Sequence, residues 1–471
     1  MDNIQPTKTE KFLQIFTEVR AGEGLTALLM FANVFLLLCA YYFIKPLREG
    51  WIAVSDISGL SKMEVRAYSS FAQSIFLLFV IGWYGRLAGC WSRVTLITRA
   101  TLFCISNMVI FWFFQPGLFI DNLPASGIIF YLWVGMFGVF VVAQFWTFSA
   151  DIYTDERGKR LLPLIAIGGT SGAVAGSWMV ELFVDTGIIP TEALLLIATL
   201  PLFISIKLTH IVDTRHQNEV SSKIVNFSES IPALLTEKKD INTIVSGAKL
   251  IFLSRFILAA ALVTLLTNWV NTNGENLLFR VIQDTLANQA VEQGIINSQQ
   301  ILEFTRNGTV AFYGDFFFWV NIIALFLQAF VASRLLKLGG FWLILMLLPM
   351  IAMISYVTMA LLPVLIIVKI MKIAENATDY SINNTARHVL WLPVDTKMRF
   401  LGKPAIDTLF VRMGDGLAAI TVLIGVQLLS LSTQQFFIFN VLLVVLWLMS
   451  GIMLVQEYNK ALHKHLLESD V

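Results

Sequence analysis

Charge is scarce in this sequence. Lys, Arg, Asp and Glu make up 14% of its 471 residues, and hydrophobic residues make up 57%. A soluble domain carries about 25% charged residues, so this balance, with a mean hydropathy of +0.74, excludes an ordinary cytosolic enzyme. The formal net charge is +1 and no stretch is densely basic, which excludes a surface that tracks nucleic-acid phosphates. Cysteine is nearly absent. Cys39, Cys90 and Cys104 lie in or beside apolar runs without C-x-x-C spacing, so neither a disulfide framework nor a zinc site is expected. The five histidines are scattered, and no Ser-His-Asp or metal-ligand set appears. Gly168-xxx-Gly172-xxx-Gly176 lacks the Lys-Ser/Thr ending of a phosphate loop, and its spacing suits close helix packing. No enzyme and no cofactor are expected.

Apolar runs are what the chain has instead. A bilayer core needs about 20 apolar residues per helix, and runs of that kind begin near Leu25, Ala67, Thr95, Ile128, Leu162 and Thr191. A second set begins near Lys249, Asp315, Phe341, Pro363, Pro404 and Gln435. The pattern predicts an all-α polytopic membrane protein of about twelve spans. Lys and Arg concentrate in the loops after even-numbered spans, which marks that side as cytoplasmic and places both termini inside. Residues 1–24 mix Lys8, Lys11 and Arg20 with Glu10, Glu18 and Glu23, which fits neither a secretory signal nor a transit peptide. A bacterial inner-membrane location is the expectation. One loop breaks the charge rule, because Lys45, Arg48, Lys62 and Arg66 follow span one.

The chain repeats itself. Phe12–Arg20 parallels Ile231–Lys239, Arg86-Leu87 parallels Arg334-Leu335, and Ala150–Tyr153 parallels Thr378–Tyr380. The copies run in the same direction, so two six-span halves are parallel repeats. Such a duplication is the organisation of the major facilitator fold, which implies a transporter by analogy. The expected layout is an interfacial amphipathic segment over 1–24, a bundle over 25–212 and a polar cytoplasmic linker over 213–230. A second bundle follows over 231–456, with a cytoplasmic tail over 457–471. Residues 271–314 read as an outer-loop insert lying on the membrane surface.

Ionisable residues inside a membrane are costly and usually face the protein interior. Span ten carries Lys369, Lys372, Asn376, Asp379 and Asn383 along one stripe with Glu375 at its edge, and Lys372 lies roughly 14 Å from Pro363 at the rise of an α-helix. Lining of a polar cavity is one reading, and a packing seam neutralised by Lys372–Glu375 is the other. Span four carries the matching Gln144, Thr147 and Asp151. Asp151 lines the same cavity or faces a cytoplasmic arginine. Span one ends with Lys45, Arg48 and Glu49, which either snorkel to headgroups or hold an anionic ligand.

Three stretches, Phe145–Ser177, Ala311–Gln328 and Asp379–Asp407, resemble the ATP/ADP translocase family of nucleotide carriers. The likeness runs through most of the chain, and it implies a major facilitator-like fold and exchange of nucleotides across the membrane. Lys45-Pro-Leu-Arg48-Glu49 matches the family's basic-x-x-basic-acidic signature at the end of span one. The chain departs where Asp379 replaces a lysine before Tyr-Ser, and where Arg387-His388 replaces Lys-Glu. The expectation is therefore an alternating-access carrier in which Lys45, Arg48, Lys369 and Lys372 bind anionic groups, with Gln144, Asp151, Asn376 and Arg387 also among the substrate-binding residues. Glu49, Glu375 and Asp379 neutralise those cations in the empty state. The solute is a nucleotide on this resemblance. A different organic anion or a zwitterion stays open because of Asp379, as does a non-transporting membrane protein with Lys372 and Glu375 directly paired. A monomer surrounded by lipid is expected.

Overall fold

The computed structural model describes residues 10, 14, 17–20, 22–88, 91–116, 124–224, 254–394 and 402–469. Among them all regular structure is helical. In chain order the long elements are α1 (Gly24–Ala53), α2 (Lys62–Ala88), α3 (Arg93–Phe113), α4 (Pro124–Ile152) and α5 (Asp155–Thr186). Next comes α6 (Thr199–Ile224), entered through short turns over Thr191–Ile197. The second set is α7 (Arg255–Glu292), α8 (Ser298–Phe326), α9 (Ala332–Leu361), α10 (Leu365–Thr378), α11 (Val411–Leu423) and α12 (Thr433–Ser469). Among the described residues, nine helical stretches are long and apolar enough to cross a membrane. One of these, 298–361, holds both α8 and α9, and Gly340 at φ 60° breaks the helix there. Counting α8 and α9 separately and adding α2 and α10, which are not among these stretches, the long helices among the described residues number twelve, as expected.

Two expectations about connections change. Residues 271–292 do not form a separate outer-loop element. They continue span seven as one 38-residue helix, and 298–314 open the next one. Amide side chains made this stretch look like a loop, but it contains no proline, and Gly274 alone does not stop a helix packed on both sides. At about 1.5 Å per residue α7 is about 57 Å long, well beyond a bilayer core. Likewise, the first part of the expected linker 213–230 is helical, because α6 runs on to Ile224. Most of the amphipathic segment expected over 1–24, and the start of the second repeat at 231–239, lie outside the described residues.

The chain forms two compact units. The first comprises Met1–Ser55, Phe76–Leu234 and Asn297–Ile322, and the second comprises Asp56–Ile75, Leu235–Ile296 and Ile323–Val471. In the first unit α1 packs along α5. Gly168, Gly172 and Gly176 face the carbonyl oxygens of Phe31, Phe35 and Cys39, so two matching four-residue periods place bare backbone against backbone. Trp51, Phe130, Trp133 and Phe137 stack beside them, with the Trp51 and Phe130 rings 4.1 Å apart. A Cβ on residue 172 would land on the Phe35 carbonyl, whereas one on Gly169 would meet Val34 at an ordinary 3.4 Å. Gly172→Ala is therefore expected to lower stability by about 1–3 kcal/mol through overpacking, and Gly169→Ala to lower it by much less. Melting of the two variants in one detergent checks this, and equal midpoints would count against the backbone contact.

The foot of the first unit is tied by Glu23. Its carboxylate accepts from Arg160 at 3.0 and 3.1 Å and pairs with Arg157 at 3.1 Å. Burial works to raise its pKa, but the bonds from Arg160 and the Arg20 amide outweigh that and hold it below the usual carboxylate value. Glu10 accepts from the Gly22 amide at 2.7 Å and the Gly24 amide at 3.3 Å, which places a carboxylate at the N-terminus of α1. The second unit is built around α7, which packs on α11 and α12, while α9 packs on α12.

Candidate functional site

Among the described residues, each unit holds a buried charged cluster on the helices that carry the expected site residues. In the first, α1 carries Lys45, Arg48 and Glu49 one turn apart. Pro46 sits between them inside the helix and leaves the Tyr42 carbonyl without its usual i+4 donor. The Lys45 ammonium stands 3.9 Å from the centroid of the Phe317 ring and 5.0 Å from that of Tyr42. The Arg48 guanidinium bonds the carboxylate of Glu49, with Nε 3.0 Å from Oε1, and lies 4.3 Å over the Tyr131 ring. All three are buried, and Glu49 is 0% exposed. They do not snorkel: their polar heads are spent on aromatic faces and on each other.

The second cluster gathers α7, α9 and α10. Lys372 is 0% exposed, and its ammonium lies 3.0 Å from Glu375 Oε2, 3.2 Å from Asn271 Oδ1 and 3.7 Å from Glu275 Oε1. The Tyr356 hydroxyl lies 3.3 Å from Glu375 Oε1 and 3.2 Å from the Val270 carbonyl. Asn376 donates to Glu275 at 2.8 Å. Arg66 of α2 completes the set: it donates to Asn276 at 2.7 Å and stands 3.7 Å from Glu275. Two cations thus face two carboxylates, the balance that a dry interior demands of buried charge. At the rise of an α-helix, Lys372 is about 10 Å from the start of α10.

Other expected site residues lie elsewhere. Gln144 lines a small cavity, about the size of one water molecule, inside the first unit with Asn33, Thr101, Ser205 and Thr209, and its buried Nε2 lacks a hydrogen-bond partner among the described residues. Thr147 donates to the Ala143 carbonyl within its own helix. Asp151 is exposed and paired with Arg93. Span four therefore does not present Gln144, Thr147 and Asp151 to one cavity, because Asp151 faces an arginine, Arg93, at the end of its helix. Lys369 is half-buried on α10. Asp379 opens a π-helical turn (Asp379–Asn383) and accepts from Asn383 at 2.6 Å. Arg387 is half-buried in the short helix Asn384–Val389 that follows. Among the described residues no group of His, Cys, Asp or Glu is arranged to hold a metal ion.

Asn271, Glu275, Asn276 and Tyr356 join the cluster without a signal in the sequence reading, and Arg66, marked there only as a charge that breaks the loop rule, joins it too. Asn271 and Glu275 lie four residues apart, and that spacing inside a helix would have marked them as one face. Their run, Asn-Thr-Asn-Gly-Glu-Asn, looked like a loop.

The family model described as TLC ATP/ADP transporter matches residues 125–458. Several solved structures share the fold at low identity. The nucleoside transporter NupG has a TM-score of 0.55 and 13% identity, covering 91% of this chain and 99% of that one. The POT family transporter PepTSo has a TM-score of 0.60 and 10% identity, covering 92% and 98%. A bacterial homologue of the human lysosomal transporter Spinster has a TM-score of 0.53 and 12% identity, covering 94% and 99%. No curated protein matches the sequence. The direct Lys372–Glu375 pair is the arrangement that a non-transporting protein would also have, and it is the family match over most of the chain that decides for transport. The chain belongs to the TLC ATP/ADP transporter family and is a multi-pass secondary transporter that shares its fold with these solved transporters.

Proposed function

We propose that the protein exchanges nucleotides of the ATP/ADP type by alternating access, with Lys45, Arg48 and Lys372 as the cations that take up the solute's anionic groups. The observation that carries this reading is Lys372, fully buried and held by two carboxylates and an amide. A buried cation needs a counter-charge at every stage of a cycle. Glu375 and Glu275 supply it when the carrier is empty, and a phosphate group replaces one of them when it is loaded. Glu49 serves Arg48 in the same way. Asn271, Asn376 and Tyr356 orient the carboxylates, and Lys369 extends the basic face of α10. The stretch at Asp379 supports a second reading, a smaller organic anion or a zwitterion, because its carboxylate repels a triphosphate.

Protein reconstituted in liposomes loaded with ADP is expected to take up labelled ATP, with uptake abolished by omitting the internal ADP. Uptake of small organic acids in place of ATP would transfer the assignment to the second reading. We also propose a bacterial inner-membrane location, a monomer, and both termini on the cytoplasmic side. A fluorescent protein fused at the C-terminus is then expected to fluoresce, and an exported phosphatase there to stay inactive.

A further inference from the structure

We infer that Phe317, with Tyr42 at its edge, is the platform on which the base of a nucleotide stacks, and that Lys45 occupies this platform while the carrier is empty. The inference rests on the nucleotide reading above and deepens it.

The two cations at the end of α1 are each seated on an aromatic face, Lys45 on Phe317 at 3.9 Å and Arg48 on Tyr131 at 4.3 Å. Tyr42 meets Phe317 edge-on, with centroids 5.8 Å apart and planes at 87°, so its ring walls one side of the Phe317 face. Tyr41 stands edge-on to Tyr42 at 5.4 Å, and extends the wall. A small organic anion would need the ammonium and the guanidinium but has no use for this rank of rings. A nucleotide has both a π-face and anionic groups, and aromatic side chains interleaved with basic ones are the chemistry that holds both. The same ring face attracts a cation and stacks a base. The base therefore competes for the face that Lys45 covers, and the displaced ammonium, on its flexible stem, turns to the phosphates. The ring is 3% exposed because Lys45 and its aromatic neighbours close over it. The exchange of one cation for one base leaves the Phe317 face covered in both states.

Purified full-length protein is tested by competing labelled ATP with unlabelled ADP and with pyrophosphate, which carries the charge but no base. Phe317→Leu is expected to weaken ATP and ADP by about ten- to a hundredfold and to leave the pyrophosphate constant unchanged, while Phe317→Trp keeps nucleotide binding. Phe317→Met, which retains volume but not the π-face, is measured beside it, so that a leucine variant that fails to fold does not decide the matter. Equal losses for ATP and pyrophosphate, or none for either, in a folded variant would overturn the stacking role alone. Wild-type protein that binds pyrophosphate but neither nucleotide would overturn the nucleotide reading and this inference with it.

Discussion

Lys372→Ala is expected to abolish exchange and to cost the folded protein about 3–5 kcal/mol, the penalty for removing one partner of a buried ion pair. The side chain is fully buried and its nearest charge, Glu375, is 3% exposed. Without the ammonium, the hydrogen-bond partner left to Glu375 among the described residues is the Tyr356 hydroxyl. Glu275 loses its approach to Lys372 but keeps Arg66 at 3.7 Å and Asn376 at 2.8 Å. The penalty therefore falls on Glu375. Adding Glu375→Gln to the alanine variant neutralises the stranded group, and most of the thermal stability should return. Transport should not return, because the cation for the solute is still missing. Melting of single and double variants in detergent, with uptake in liposomes, separates the two roles. A double variant that transports at the wild-type rate would remove Lys372 from the site, and a single variant that melts like wild type would show that the pair carries no structural burden.

The fold was legible because lipid imposes it. Length and apolarity fix a spanning helix, and chain order then fixes the sequence of spans. The glycine ladder on α5 was also legible, since its four-residue period has a matching partner in Phe31, Phe35 and Cys39. The site was read in part. Lys372, Glu375 and Asn376 share a stripe on one helix, and periodicity alone puts them together. Asn271 and Glu275 were lost to composition: a polar run in the middle of a 38-residue helix carries the loop signal locally, and only tertiary packing overrides it. Arg66 was lost for a different reason. It reaches Asn276 across 210 positions in the chain, and no pattern within α2 points to that partner. Gln144 and Asp151 illustrate the reverse error. They lie seven residues apart on a shared stripe, yet one lines a buried cavity and the other is exposed beside Arg93, because a straight stripe on a 29-residue helix crosses several environments.

Gly274→Ala tests the same cluster from the backbone side, and here the expected sign is the reverse of the usual one. In a helix interior, alanine in place of glycine normally stabilises by about 1 kcal/mol. Gly274 is in the interior of α7, but a Cβ there would overlap the Tyr356 hydroxyl and sit 2.8 Å from the Lys372 ammonium and 3.1 Å from Tyr356 Cζ. Tyr356 and Lys372 are both 0% exposed, so the methyl group displaces the tyrosine hydroxyl that it overlaps and pushes the flexible lysine beside it. That movement separates Lys372 from Glu375 and Asn271 and undoes the neutralisation on which the closed interior depends. A loss of about 1–3 kcal/mol from overpacking is expected in place of the gain, with a fall in exchange that matches the displacement of Lys372. Tyr356→Phe removes the hydroxyl that the new methyl group meets first. In that background Gly274→Ala should cost less, with a coupling between the two positions of about 0.5–3 kcal/mol. Four melting midpoints complete the cycle. If the glycine substitution costs the same with tyrosine and with phenylalanine at 356, the close approach of α7 to α9 is not the reason for a glycine at this position, and the placement of Lys372 must rest on its hydrogen bonds alone.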